Sequence, residues 1–189
     1  VGYWPYGYNS FYFDITKQLM PGKKNTLAVR LENLPESSRW YPGAGLYRNV
    51  HVIVTENAHI PVWGTYVTTP TATKEFAKVN VRTQIVLLEG ADAGKYSVKT
   101  SVWNPNGQKL TEQTIPLSQI KYNDNSLSQE FIIQTPTLWS PDMPALYSAE
   151  TRLYEGDQLK DIYTTPFGIR SIEIIPNKGF FLNGEKTVF

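Results

Sequence analysis

Three sets of side chains in this sequence could do chemistry. The first is Arg39-Trp40-Tyr41, set just ahead of a Pro-Gly-Ala-Gly turn at residues 42–45. An indole or phenol ring stacks on the C–H face of a pyranose, and a guanidinium offers several donors to hydroxyls or carboxylates, so this loop could touch a sugar. The second set is the acids. Cleaving a glycosidic bond takes two carboxyl groups flanking it, ~5 to 9.5 Å apart. No such pair can be placed: Glu185 follows Asn183-Gly184 and reads as a hairpin position. Glu89 and Asp92 sit in a Gly/Ala turn, where acids serve solubility and local hydrogen bonding. The third set is His51 and His59, which lack the Cys partners or spaced acidic cluster of a zinc signature. His51 alternates with Val50, Val52 and Val54, so it projects from the opposite face of a strand. No Gly-x-Ser-x-Gly elbow, phosphate-binding glycine loop or dinucleotide fingerprint is present. The reading therefore assigns no catalytic residue, no cofactor and no metal site, and takes Arg39, Trp40 and Tyr41 as candidate substrate contacts.

These residues must be positioned by β-structure. Apolar residues recur with period two almost everywhere, and no stretch of ten or more shows helical spacing. Within residues 75–89 one face carries Val79, Val81, Thr83, Ile85 and Leu87, while the other begins Lys78, Asn80, Arg82, Gln84. The same alternation recurs in Tyr96-Val98-Thr100-Val102, Leu127-Gln129-Phe131-Ile133 and Tyr147-Ala149-Thr151-Leu153, with turn-forming residues between the runs. The fold class is all-β. Roughly seven strands between residues 61 and 171 have the size and spacing of an immunoglobulin-like sandwich, with a barrel of similar strand count as the alternative. Before it, strands are expected at 11–15, 26–31 and 49–55, the tail of a larger β-sandwich in which Tyr8, Phe11 and Phe13 fill the space between layers. After it, Asn183-Gly184 predicts a type I′ hairpin, with no body to pack on within this chain.

Composition removes several functions. Eighteen Lys and Arg against seventeen Asp and Glu give a net charge of +1, so no broad basic surface attracts nucleic acid. No apolar run approaches the ~20 residues of a membrane-spanning helix. Cysteine is absent, which excludes disulfides and thiolate chemistry. Aromatics form 13% of the chain, an excess that suits strands and sugar-contact surfaces. The chain opens in an aromatic run and stops in a strand-like one, so both ends read as interior points of a longer protein.

Three strings narrow the reading. NSFYFDIT at 9–16, GKKNTLAVRL at 22–31 and SRWYPGAGLYRNV at 38–50 resemble the second half of the sugar-binding jelly roll of glycoside hydrolase family 2. LWSP at 138–141, PALY at 144–147 and FGIRS at 167–171 are similar to the closing strands of that family's immunoglobulin-like domain, and GFFLNG at 179–184 to the lead-in to its catalytic (β/α)₈ barrel. The resemblance implies residues 1–57 as the end of a jelly roll, 58–172 as the sandwich and 173–189 as the lead-in hairpin. It further implies a non-catalytic piece of a retaining β-glycosidase, most like a β-galactosidase, with β-glucuronidase and β-mannosidase as alternatives. Both catalytic Glu residues would lie in the barrel, as would any metal ion. The implied partners are a carbohydrate substrate reached through the parent enzyme, the barrel in an intramolecular contact, and a second copy of the chain in a homo-oligomer, with a periplasmic or secreted location favoured. In some members an acid on the loop matching 36–45 contacts the sugar; here Ser37, Ser38 and Arg39 stand instead. An autonomous carbohydrate-binding module and an adhesive immunoglobulin-like domain are the readings from other classes.

Overall fold

The computed structural model describes residues 1–33, 35, 36, 43, 45–119 and 126–188. Two compact units divide the chain, Val1–Ile53 and Val54–Phe189.

Among the described residues of the first unit no strand is assigned. The stretches 11–15, 26–31 and 49–55, expected as strands, run without a ladder. Extended backbone becomes a strand when a neighbour accepts and donates its hydrogen bonds, and alternation alone does not supply that neighbour. Order here is local. Asp14 Oδ1 accepts from Thr16 N at 2.8 Å and opens a 3₁₀ turn over Thr16–Gln18. Asn25 closes the next loop, accepting from Met20 N and donating to the Met20 and Lys23 carbonyls. The expected interlayer rings instead stand exposed, Tyr8 at 71% and Phe11 at 45% of their surface, and pack on one another. Trp4 stacks on Phe11 at 5.7 Å, and Phe11 meets Phe13 at 5.6 Å.

Among its described residues the second unit is built of strands, with two 3₁₀ turns at Ala93–Lys95 and Leu117–Gln119. In order they are β1 (Ala58–His59), β2 (Thr65–Ala72), β3 (Phe76–Gln84), β4 (Val86–Leu87), β5 (Tyr96–Trp103), β6 (Lys109–Pro116), β7 (Ser126–Gln134), β8 (Tyr147–Glu155), β9 (Gln158–Phe167), β10 (Ile172–Ile175), β11 (Gly179–Leu182) and β12 (Glu185–Thr187). Sheets β2-β3-β7 and β6-β5-β8-β9 form the seven-stranded sandwich, β1-β4 a short clip, and β10-β11-β12 a meander. Every ladder is antiparallel. The fourth strand, β6, joins β5, β8 and β9 rather than the β2-β3-β7 sheet, which distinguishes it from the constant-type immunoglobulin arrangement. Tyr147, opening β8, receives a hydrogen bond on its hydroxyl from Thr137 N at 2.9 Å, the tyrosine corner of immunoglobulin-like domains. Proline lacks a ladder donor, and the strand prolines Pro70, Pro116 and Pro166 all fall on edge strands, β2, β6 and β9.

All four alternating runs point their expected faces inward. The core they build is two apolar clusters separated by a polar belt. One cluster gathers Val79, Val81, Val102, Phe131 and Tyr147, the other Ile85, Val98, Leu127 and Leu153. Between them, one residue per strand from β3, β5, β7 and β8, lie Thr83, Thr100, Gln129 and Thr151, each essentially fully buried. Thr100 Oγ1 donates to Gln129 Oε1 at 2.6 Å and lies 3.3 Å from Thr151 Oγ1, while Gln129 Nε2 donates to the Gln113 carbonyl at 2.9 Å. The Thr100–Gln129 bond therefore joins the two sheets at mid-core and satisfies polar groups that would otherwise destabilise the interior, while Thr83 Oγ1 on the same belt is buried without a hydrogen-bond partner among the described residues.

Candidate functional site

The candidate sugar contacts Arg39, Trp40 and Tyr41 lie outside the described residues. The other chemistry-bearing residues have local roles. Glu185 is exposed in β12, opposite Leu182 across a turn in which Asn183 and Gly184 have φ of 53° and 81°, the type I′ geometry expected of Asn-Gly. Asp92 Oδ1 accepts from Gly94 N at 3.0 Å and caps the turn at Ala93–Lys95. His59 Nδ1 sits 2.9 Å from the Glu56 carbonyl, and His51 is exposed. Among the described residues no three His, Cys, Asp or Glu side chains gather where they could hold a metal.

The structure brings together a set that spacing did not reveal: Thr69, Trp139, Gly168, Arg170 and Asn183. The first four line an open groove of about 620 Å³ at one end of the sandwich, and Asn183 adjoins it through its bond to the Trp139 carbonyl. Its construction begins with Pro70, where the β2–β3 register breaks between Thr68 and Thr71. The bulge frees the Thr69 hydroxyl from the ladder face, and Thr69 Oγ1 donates to the Arg170 carbonyl at 3.0 Å. From the opposite side Trp139 N donates to the Ile169 carbonyl at 2.8 Å. A Cβ added at Gly168 would come 2.8 Å from Trp139 Cγ, so only glycine lets the backbone lie this close to the indole. With both backbones fixed, the Arg170 guanidinium lies over the Trp139 ring at 4.7 Å from its centre, a cation–π contact.

Asn183 locks the meander to this corner. Its side chain accepts from Ser171 N and donates to the Trp139 carbonyl, both at 3.0 Å, while its own N–H donates to the Ser171 carbonyl at 2.9 Å. The hairpin thus has a body to pack on, contrary to the expectation from sequence, and it gains a third strand in β10. Asn suits the position twice: it tolerates a positive φ, and its amide offers a donor and an acceptor at once.

Chemically the groove can bind and orient but holds no proton-transfer pair. Its wall is hydroxyl, aliphatic, indole and guanidinium, with no carboxylate among the residues lining it. Trp139 and Arg170 lie within strings that carry a family resemblance. Their separation in sequence gives no hint that they touch.

Comparison with known proteins accounts for the construction. The profile of glycosyl hydrolases family 2 matches residues 58–170, more than half the chain. The chain belongs to this family. It is 36% identical over 188 residues to a β-galactosidase of Bacteroides ovatus, covering 99% of this chain and 22% of that protein. It is 35% identical over 189 residues to a Formosa agariphila protein provisionally named a β-glucuronidase, covering 99% of this chain and 17% of that one. The crystal structure of a β-glycosidase from Bacteroides vulgatus superposes with a TM-score of 0.67 at 30% identity, over 79% of this chain and 18% of that one. The chain thus spans about a fifth of the length of its family 2 relatives. The matched span runs from the β1 clip through Arg170, so the sandwich and all of the groove lining except Ile172 fall inside it.

Proposed function

We propose that this chain is a non-catalytic portion of a retaining β-glycosidase of family 2, in the first place a β-galactosidase, with β-glucuronidase as the alternative. The observation that carries this reading is the family 2 match over residues 58–170 in a chain spanning about a fifth of its relatives, and the chemistry of the groove agrees with it. Retaining hydrolysis takes two carboxyl groups ≈ 5–5.5 Å apart, one to protonate the leaving oxygen and one to attack. The groove of the family-matched unit is walled by threonines, aliphatics, Trp139 and Arg170. The bond-breaking pair belongs to other parts of such an enzyme, and the sandwich acts as a rigid spacer. Rigidity matters because a catalytic centre gains most from groups held in place before reaction. In this reading Arg39, Trp40 and Tyr41 ride on a loop that reaches the substrate, stacking on the sugar face and donating to its hydroxyls.

The test is direct. The purified chain, incubated with nitrophenyl β-galactoside and nitrophenyl β-glucuronide, should release no nitrophenol above buffer; saturable hydrolysis of either refutes the reading. In a longer enzyme carrying this chain, Trp40→Ala should raise KM for its substrate. Preference for the glucuronide over the galactoside there would select the alternative specificity.

A further inference from the structure

Arg170 is more constrained than a surface arginine usually is. Its backbone is pinned by Thr69, its guanidinium face rests on Trp139, and Trp139 is in turn held by the Ile169 carbonyl, Asn183 and the close passage of Gly168. Yet among the described residues no carboxylate pairs with it. Ion pairs elsewhere show that carboxylates are available to cations on this surface, as with Lys160 between Glu56 and Glu155. A guanidinium whose flat face is occupied presents its N–H edge outward, and that edge fits a carboxylate with two parallel hydrogen bonds. Around it stand exposed aliphatics: Leu146 and Ile172 on the groove wall, and Ile174 on the same face of β10. Scattered apolar residues on a surface mean little, but here they adjoin one preorganised, unpaired cation.

We infer that this groove is a docking site for a protein segment that presents an Asp or Glu carboxylate to Arg170 beside an apolar side chain that covers Leu146 and Ile172. Resting on the proposed function, the segment belongs to the remainder of a family 2 enzyme, and its docking fixes the sandwich relative to the parts that break the bond. A sugar fits the same place poorly. Arg170 already covers the indole face on which a pyranose would stack, so a sugar would have to displace the guanidinium first. Against a neutral sugar such as galactose charge complementarity decides as well, because the groove wall supplies a positive group and no negative one.

The site can be tested on the chain by itself, independently of any hydrolysis. The probes are acetyl-Leu-Glu-Leu-amide, its Gln counterpart, and galactose, titrated into the isotope-labelled 189-residue protein while the side-chain N–H resonances of Trp139 and Arg170 are followed. The Glu peptide should move both resonances saturably, and the Gln peptide should bind about tenfold more weakly, the loss expected for one charge-assisted hydrogen-bonded contact. Arg170→Gln should abolish the response. Arg170→Lys, which keeps the charge but loses the fork, should retain part of it, and a backbone spectrum like that of the parent protein confirms each variant's fold. Equal binding of Glu and Gln peptides, an undiminished response in Arg170→Gln, or saturable shifts from galactose alone would overturn the inference. The nitrophenyl assay bears on the proposed function alone, so the two readings fail separately.

Discussion

The polar belt makes a quantitative prediction about what couples the two sheets. Gln129 is 1% exposed and makes two side-chain hydrogen bonds, one received from Thr100 on the facing sheet and one given to the Gln113 carbonyl. Gln129→Met keeps the length of the side chain and removes both. Each bond contributes ~0.5–1.5 kcal/mol net, so the variant should be less stable by about 1–3 kcal/mol. Thr100 is not orphaned by this change, because Thr151 Oγ1 remains 3.3 Å away. The reverse substitution behaves differently. Thr100→Val leaves Gln129 Oε1 buried without its donor, which by itself costs about 1–3 kcal/mol. In the double variant the Gln129 orphan is gone and Thr151 Oγ1, which loses Thr100 in both Thr100 variants, is left without that partner, so its loss should fall short of the sum by ~1 kcal/mol or more. Urea unfolding of the four proteins, followed by fluorescence and by circular dichroism with coincident transitions, measures the coupling. If the two losses add to within ~0.3 kcal/mol, Thr100 and Gln129 do not act as a pair, and the belt is incidental to how the sheets are joined.

Two further predictions concern the groove and the charged rim. Gly168→Ala places a methyl 2.8 Å from Trp139 Cγ, so the indole must shift; a destabilisation of about 1–3 kcal/mol with a changed Trp139 side-chain N–H resonance is expected, and an unmoved resonance would refute the close approach. The rim ion pairs set the response to pH. Hydrogen bonding to Lys109, then to Lys99, holds the Glu112 carboxyl below its ordinary 4.5, so its contribution is present above pH 4.5 and is lost as pH falls through the lowered folded value. Hydrogen bonding to Glu155, then to Glu56, raises Lys160 above 10.5, so its contribution is present below that pH and is lost as pH rises through the raised value. Glu112→Gln should flatten stability on the acid side only and Lys160→Met on the alkaline side only, both effects shrinking in 1 M salt; crossed effects in thermal melts would show the pairs misassigned.

How much of this could be read from the sequence depended on whether the information was local. Period-two alternation told which face of each strand turns inward, and Val79, Val81, Thr83 and Ile85 are buried as that parity requires. Asn183-Gly184 announced its own turn, because the φ values it needs are a property of two adjacent residues. Partners were not legible. Thr100, Gln129 and Thr151 occupied inward positions in their runs, but their meeting depends on registers between strands 29 and 51 residues apart. The candidate site divided the same way. Trp139, Gly168, Arg170 and Asn183 each came in a recognisable string and Thr69 in none, yet the contact of Trp139 with Arg170 arises because Thr69, displaced by a bulge, and Asn183, in a turn, hold two distant backbones side by side. In the first unit parity again suggested strands, and without ladders the expected layer around Tyr8 and Phe11 did not form.

The belt and the groove solve one physical problem at two depths. Apolar packing tells a sandwich how tightly to close but only weakly how its sheets align, since a Val or Ile surface can slide with modest loss. A hydrogen bond is directional, so one buried Gln–Thr pair penalises a slip that many methyl contacts would tolerate. A two-residue slip of β7, which keeps the same residues facing inward, would carry Gln129 away from Thr100 and bring Leu127 or Phe131 opposite it. The same directionality operates at the end of the sandwich, where Asn183 bonds Ser171 and Trp139 together and sets the indole under Arg170. Alignment fixed at mid-core is therefore delivered, through β8 and β9, to the corner where the guanidinium is presented. The spacer role proposed above would draw on this combination of a register-locked interior and one oriented charge at its margin.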